Sequence, residues 1–99
     1  GEEDKAFWKD NKGARINGIR TRTFIDRADV VVVRFGEKYR QWNAAFDAGY
    51  ASAKGKPVIT LHDSGLDHAL KEVDAAALAT ADSPDQIVRI LGYAIEGQL

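Results

Sequence analysis

The chain of 99 residues lacks cysteine, a charge excess of one sign and any long hydrophobic run. Without cysteine it can form neither disulfides nor thiolate metal sites, which fits a reducing compartment. The net charge is −1 with acidic and basic residues interspersed, so we expect no surface for nucleic acid or an anionic membrane. No apolar run approaches the roughly 20 residues of a membrane helix, and the polar start is no signal peptide. We therefore expect a cytoplasmic protein whose partner is a small molecule or another protein.

The most informative segment runs from Ala28 to Leu61 and has the pattern strand, helix, strand. Four consecutive valines predict a strand within residues 29–34 that is buried on both faces, as parallel sheets require. A helix is predicted for residues 41–54, ending at Gly55, before a second strand at residues 58–61. The length fits one domain, residues 1–99, and the pattern predicts an α/β fold with a parallel sheet.

Weaker signals predict the remaining elements and the faces that pack. They are a loop at 10–13, a helix at 14–27, a helix near 66–73, a short strand near 78–81 and a last helix with Ser83 as cap and Pro84 as first residue. Ile16, Ile19, Thr23 and Phe24 share one broad face of the first helix. On helix 41–54, the stripe expected to pack on the sheet consists of Trp42, Phe46, Gly49 and Ala53.

This order of elements gives three strands and leaves one sheet edge without a neighbouring strand. Unpaired edges are a liability that proteins cover or pair. We expect that residues 1–11, another copy of the chain or a preceding segment covers the edge, and a homo-oligomer is the expected state in solution.

The position of a ligand site follows from the predicted topology. In open α/β sheets, ligands bind in the crevice beyond the carboxyl ends of the strands. The loops 35–41 and 62–65 follow the two predicted strands, so we expect the site there, with Gly36 in the first loop. A lone glycine makes neither a Walker loop nor a G-x-G-x-x-G motif, and no cofactor is expected.

Asp47 is the candidate catalytic residue. It shares a stripe with Asn43 and Tyr50, about 100° around the helix from the apolar stripe, and so faces the sheet edge and the loops. A carboxylate in such a position can attack the anomeric carbon of a sugar and hold it as a covalent ester. The alternative is an ordinary solvated aspartate, and spacing alone leaves both interpretations open.

His62 and Asp63 are candidate ligand contacts in the loop after the second strand. A neutral imidazole there could contact a base or sugar, and Asp63 a hydroxyl group. The alternative is a partly buried loop histidine bonded to backbone. A metal site is not expected, because the only other histidine, His68, lies at no clear ligand spacing.

Three segments together resemble a known superfamily. Residues 28–33, 46–51 and 55–59 read ADVVVV, FDAGYA and GKPVI, and they are similar to the nucleoside 2-deoxyribosyltransferase-like superfamily. The longer stretches 35–50 and 66–74 resemble the bacterial YtoQ family within it. The resemblance implies a flavodoxin-like (Rossmann-like) three-layer sandwich and a small-molecule nucleoside or nucleotide as ligand. It also implies that the chain is the carboxyl-terminal two thirds of such a domain, without its amino-terminal strands.

The resemblance assigns roles to individual residues. The superfamily's nucleophilic glutamate falls on Asp47, its Gly-Thr pair on Asn43 and Ala44, and a second acidic residue on Gln41. Asp47 keeps the carboxylate but is one methylene shorter, and a displacement of about 1 Å in near-attack geometry can cost about two orders of magnitude in rate.

Three functions are therefore considered. The first is an N-glycosidase or 2-deoxyribosyltransferase-like enzyme in which Asp47 attacks C1′, Asn43 and Gln41 orient sugar hydroxyls, and Tyr39 and His62 contact the base. The second is a non-catalytic module that binds a nucleotide or nucleotide sugar in the same crevice. The third is a mainly self-associating protein with Trp42 and Tyr50 packed between subunits.

Overall fold

The structure, a computed structural model, describes the backbone of residues 2–36 and 41–97, and their side chains except those of residues 2–4, 6–8 and 41. The elements follow the order α1 (Glu2–Arg27), β1 (Val31–Arg34), α2 (Gln41–Ala53), β2 (Val58–Leu61), α3 (Lys71–Ala76), β3 (Ala79–Ala81) and α4 (Pro84–Glu96). A short 3₁₀ helix, Ser64–Leu66, lies between β2 and α3.

The three strands form one parallel sheet in the order β1-β2-β3. One apolar cluster joins α1, α2 and α3 to one face of the sheet, around Val33, Val58 and Ala51. A second cluster joins α4 to the other face, around Ile59, Ala81 and Ile87. Helices on both faces of an open parallel sheet confirm the predicted α/β flavodoxin-like sandwich.

Small residues pack α2 against the sheet, which differs from the predicted stripe. Ala48 and Ala51 are buried, at 4% and 0% exposure, whereas Trp42 and Phe46 are 76% and 65% exposed. Ala44 lies one turn before Ala48 and is also packed against the core. The expectation that Trp42 and Phe46 pack on the sheet was wrong, because the alanine face lets the helix approach the bulky strand residues.

The valine strand is buried on one face only. Val31 and Val33 are buried under α1 and α2, but Val32 on the other face is 42% exposed. Helix α4 on that side packs on β2 and β3, and β1 lies at the edge of the sheet. The prediction of burial on both faces was therefore wrong for Val32.

Helix α1 is longer than predicted and packs little. It includes residues 10–13, which were expected to form a loop, and Ile16, Ile19 and Phe24 are all more than half exposed. Ile25, near its end, is buried in the core. Within the described ranges, no helix is both long and apolar enough to cross a membrane.

The ends of α2 and α4 follow local sequence signals. Gly55 has φ 74° and closes α2, with the amides of Gly55 and Lys56 bonded to the carbonyls of Ser52 and Ala51. The Ser83 side chain accepts a hydrogen bond from the amide of Gln86, as predicted for a cap. The helix expected near 66–73 is instead the 3₁₀ helix followed by α3.

The open edge of β1 generates the first prediction. Within the described residues β1 pairs with β2 alone, and the amides of Val31 and Phe35 point to that neighbour. The backbone groups of Val32 and Arg34 therefore face outward, as in any parallel strand with one partner. We expect light scattering to find more than one copy of the chain per particle, because an exposed apolar edge invites pairing.

A charged side chain on the open edge of β1 should cause such oligomers to dissociate. Val32→Lys is expected to shift the population toward monomer, whereas Ile95→Lys at the exposed end of α4 serves as the control and should not. A wild-type chain that stays monomeric, does not aggregate and unfolds cooperatively would contradict the expectation.

Candidate functional site

A groove of about 540 Å³ runs along the open edge of β1. The end of α1 forms one wall, the strand forms the floor, and the first two turns of α2 form the other wall. Its lining residues are Thr21, Phe24, Ile25, Val31, Val32, Val33, Arg34, Asn43, Ala44 and Asp47. The groove combines an apolar floor with a few polar side chains, which is the usual composition of a small-molecule site.

Asn43 and Asp47 lie one helical turn apart on α2 and contribute to the same wall. Together with Thr21 they also line a second groove of about 360 Å³, between α1 and α2. Asn43 and Asp47 face α1 and the sheet edge, because the adjacent side of α2, which carries Ala48 and Ala51, packs on the sheet. The structure therefore brings the candidate nucleophile and the candidate hydroxyl-binding amide together.

The carboxylate of Asp47 has no polar partner in the part of the chain that the structure describes. Burial raises the pKa of Asp47 above its ordinary value. A carboxylate that is partly withdrawn from water without a compensating partner is poorly solvated, and poor solvation makes it more reactive toward an electrophile. Arg34, which also lines the groove, is the cationic side chain among its lining residues.

The other candidates lie at the carboxyl ends of the strands. Gly36 is exposed and follows β1, and Asp63 is exposed and follows β2. Tyr39 lies outside the described residues. Gln41 begins α2, but its side chain is likewise outside the description. Neither His62 nor Asp63 lines the groove that contains Asp47.

His62 is buried beneath this end of the sheet and is bonded through both ring nitrogens. Nδ1 lies 2.8 Å from the carbonyl oxygen of Asp63, and Nε2 lies 2.7 Å from Oδ2 of Asp74. The ring also meets Phe35 edge-on, with centroids 6.2 Å apart. The role of Asp74 was not predicted, because a polar pair separated by twelve residues produces no periodic signal in the sequence.

The environment of His62 favours its charged form. Burial lowers the pKa of His62, but the hydrogen bonds to the Asp63 carbonyl and to Asp74, with the charges of Asp74 and Asp67, outweigh it. The net effect is a pKa raised above 6.5.

The three groups His62, Asp67 and Asp74 lie within 4.8 Å of one another. Asp74 approaches Nε2 at 2.7 Å, whereas Asp67 approaches Nδ1 at 3.8 Å, on the other side of the ring. A metal ion needs a ring nitrogen without hydrogen and carboxylates gathered on the side of that nitrogen. The arrangement fits an ion pair around a histidine and does not fit a metal centre.

Comparisons with known proteins find one family and one relative to which the chain is similar. Residues 1–95 match the family described as "Nucleoside 2-deoxyribosyltransferase YtoQ". A protein of Bacillus subtilis (strain 168), called "Uncharacterized protein YtoQ", is 44% identical to the chain over 96 residues. The alignment covers 97% of the chain and 65% of that protein, so the chain spans about two thirds of the length of this relative.

The partly buried carboxylate generates the second prediction. Because burial raises the pKa of Asp47 in the folded state, the ionised form destabilises folding, and this effect develops as the pH rises above 3.8. Asp47→Asn should therefore raise the free energy of unfolding at pH 7, by less than about 1 kcal/mol because solvent screens the charge.

Chemical denaturation at pH 7 and at pH 3 measures the effect. The gain from Asp47→Asn should vanish at pH 3, and Asp10→Asn on the exposed part of α1 should give no gain at either pH. Equal stability of Asp47→Asn and wild type at pH 7 would identify Asp47 as an ordinary solvated side chain.

Proposed function

Because the chain belongs to the YtoQ-like nucleoside 2-deoxyribosyltransferase family, we propose that it binds a nucleoside or nucleotide beside Asn43 and Asp47 of α2 and cleaves the N-glycosidic bond with Asp47 as nucleophile. The observation that carries this proposal is the Asp47 carboxylate, which lies in the groove without a polar partner among the described residues. An ionised carboxylate that is free to reach the anomeric carbon can act as a nucleophile.

The chemistry proceeds in two displacements. One oxygen of Asp47 forms a bond to C1′ of the sugar while the bond between C1′ and the base nitrogen breaks, and the base leaves with that electron pair and takes up a proton from solvent water. Water or a second base then attacks C1′, which releases the carboxylate. If water attacks C1′ in the second step, the protein is an N-glycosidase, and if a second base attacks, it is a transferase.

The remaining polar residues surround this reaction centre. Asn43 lies one turn from Asp47 in the same wall and orients a sugar hydroxyl, with Gln41 at the start of α2 in the same role. Gly36, Tyr39 and Asp63 contact the distal part of the ligand from the loops beyond the strands. His62 contributes by holding the loop of Asp63, since both of its ring nitrogens are already bonded.

A second function, binding without turnover, is favoured by one observation. Asp47 is the one carboxylate among the described residues that line the groove, so no second acid there can protonate the leaving base. Its side chain is also one methylene shorter than the glutamate of the superfamily. A nucleotide-binding module would use the same groove and loops without cleaving the bond.

The place of binding is tested by NMR. Addition of a nucleoside 5′-monophosphate should shift the amide signals of residues 36–43 and 62–65 together, because both segments follow the carboxyl ends of paired parallel strands. The amide of Asp47 in the adjoining groove should shift with them. Changes confined to residues 83–99 would overturn the proposed location.

The chemistry is tested by substitution of the nucleophile. Asp47→Asn should abolish release of free base from a nucleoside panel, measured by chromatography, and change ligand affinity by less than about tenfold, since attack is lost and shape is kept. Asp10→Asn, distant from the groove, is the matched control. Unchanged turnover in Asp47→Asn would exclude the covalent mechanism, and a wild-type chain that binds without releasing base would support the second function.

A further inference from the structure

A continuous series of polar groups crosses the sheet under the carboxyl edge. The Thr60 hydroxyl lies 2.8 Å from Oδ1 of Asp74 and 3.1 Å from the hydroxyl of Thr80. An ionised carboxylate can only accept hydrogen bonds, so the Thr60 hydroxyl donates its one hydrogen to Asp74. The Thr80 hydroxyl therefore donates a hydrogen bond to the oxygen of Thr60. Asp74 accepts from His62 through its second oxygen, and His62 reaches the Asp63 carbonyl. The series thus joins β3, β2, α3 and the loop after β2.

The acceptors on both sides of His62 determine its protonation. The Asp63 carbonyl only accepts a hydrogen bond, and so does an ionised Asp74. Each ring nitrogen can make its short contact only if it carries a hydrogen, which requires the imidazolium form. The Thr60 hydroxyl stabilises the negative charge on Asp74, so the pair is a cation and an anion, each with its hydrogen bonds satisfied.

We propose that His62 and Asp74 form a charged latch that holds the loop 63–67 at the carboxyl edge of the sheet and releases it when His62 loses a proton. The latch consists of His62, Asp74 and the carbonyl group of Asp63. This role for His62 and Asp74 is independent of whether Asp47 acts as a nucleophile.

Loss of one proton breaks a defined contact. A neutral imidazole has a single N–H, and the charge of Asp74 keeps it on Nε2. The lone pair of Nδ1 then faces the Asp63 carbonyl oxygen at 2.8 Å, which is repulsive. That same carbonyl accepts the amide of Leu66 at 3.0 Å and so anchors the 3₁₀ helix. Deprotonation therefore loosens the segment that begins at Asp63.

The charged groups around His62 determine the direction of the pH effect. Among the described residues, Asp74 of α3 and Asp67 of the loop face the ring, and the end of β1 contributes the apolar Phe35. Both charges are negative and favour the imidazolium. A histidine pKa raised by folding stabilises the fold below about 6.5, and this contribution disappears as the pH rises through the folded pKa. The latch therefore opens on the alkaline side.

Nitrogen NMR of the wild-type chain tests the latch directly. At pH 6.5 both ring nitrogens of His62 should carry hydrogens, and its titration midpoint should lie above the ordinary histidine value of about 6.5. Hydrogen exchange of the Leu66 amide, corrected for the intrinsic pH effect, should accelerate about fivefold to tenfold across the same midpoint, as expected for one lost hydrogen bond. A neutral His62 at pH 6.5, or Leu66 exchange that does not follow its titration, would overturn the proposal.

Asp74→Asn separates charge from hydrogen bonding. The amide oxygen of the new side chain can accept from Thr60 while its NH₂ group donates to Nε2 of a neutral His62, so every polar group stays bonded. In this variant His62 should be neutral at pH 6.5, and the pH dependence of Leu66 exchange should be lost. Asp67→Asn, which removes an exposed charge 3.8 Å from Nδ1, is the control. In this control His62 should stay charged at pH 6.5, and Leu66 exchange should keep its pH dependence. If Asp74→Asn does not fold, the wild-type titration still decides the proposal.

Discussion

The pairing of β2 with a strand on each side is the interaction on which the structure depends. Val58, Ile59 and Thr60 are almost fully buried, so β2 is the one strand covered on both faces and both edges. Its parallel register with β1 brings the two loops after these strands to one edge of the sheet. Its central Thr60 carries a hydroxyl to a position without water, and that hydroxyl requires the partner that α3 supplies.

The same sheet face thus carries two arrangements of different character. Under α2, at the outer side of β1, the Asp47 carboxylate has no polar partner among the described residues and lies beside a groove. Under α3, the buried hydroxyl of Thr60 and the buried ring of His62 are both bonded to Asp74. The first arrangement suits chemistry on a bound molecule, and the second suits a fixed position of the neighbouring loop.

Local signals in the sequence predicted the parts of the fold that local forces determine. The valine run, Gly55 and Ser83 each act within a few residues, and each is found where it was expected. The packing face of α2 was not predicted correctly. The sequence pattern identifies the large apolar residues of the helix, but it does not show that the bulky residues of the sheet leave room only for alanine. Asp47 lines the groove at the open edge of β1, although the stripe of Trp42 and Phe46, from which its direction was predicted, does not pack on the sheet.

The alanine face of α2 has a consequence for the reach of Asp47. Ala48 and Ala51 act as spacers of minimal thickness, since each places a single methyl group between helix and sheet. The distance from the helix axis to the strand therefore sets how far the shorter aspartate side chain extends over the edge of β1. A larger residue on that face would shift the whole helix outward and carry the carboxylate with it. A larger side chain at Ala51, which lies on the side of α2 that packs on the sheet, would therefore change the position of Asp47 in the groove.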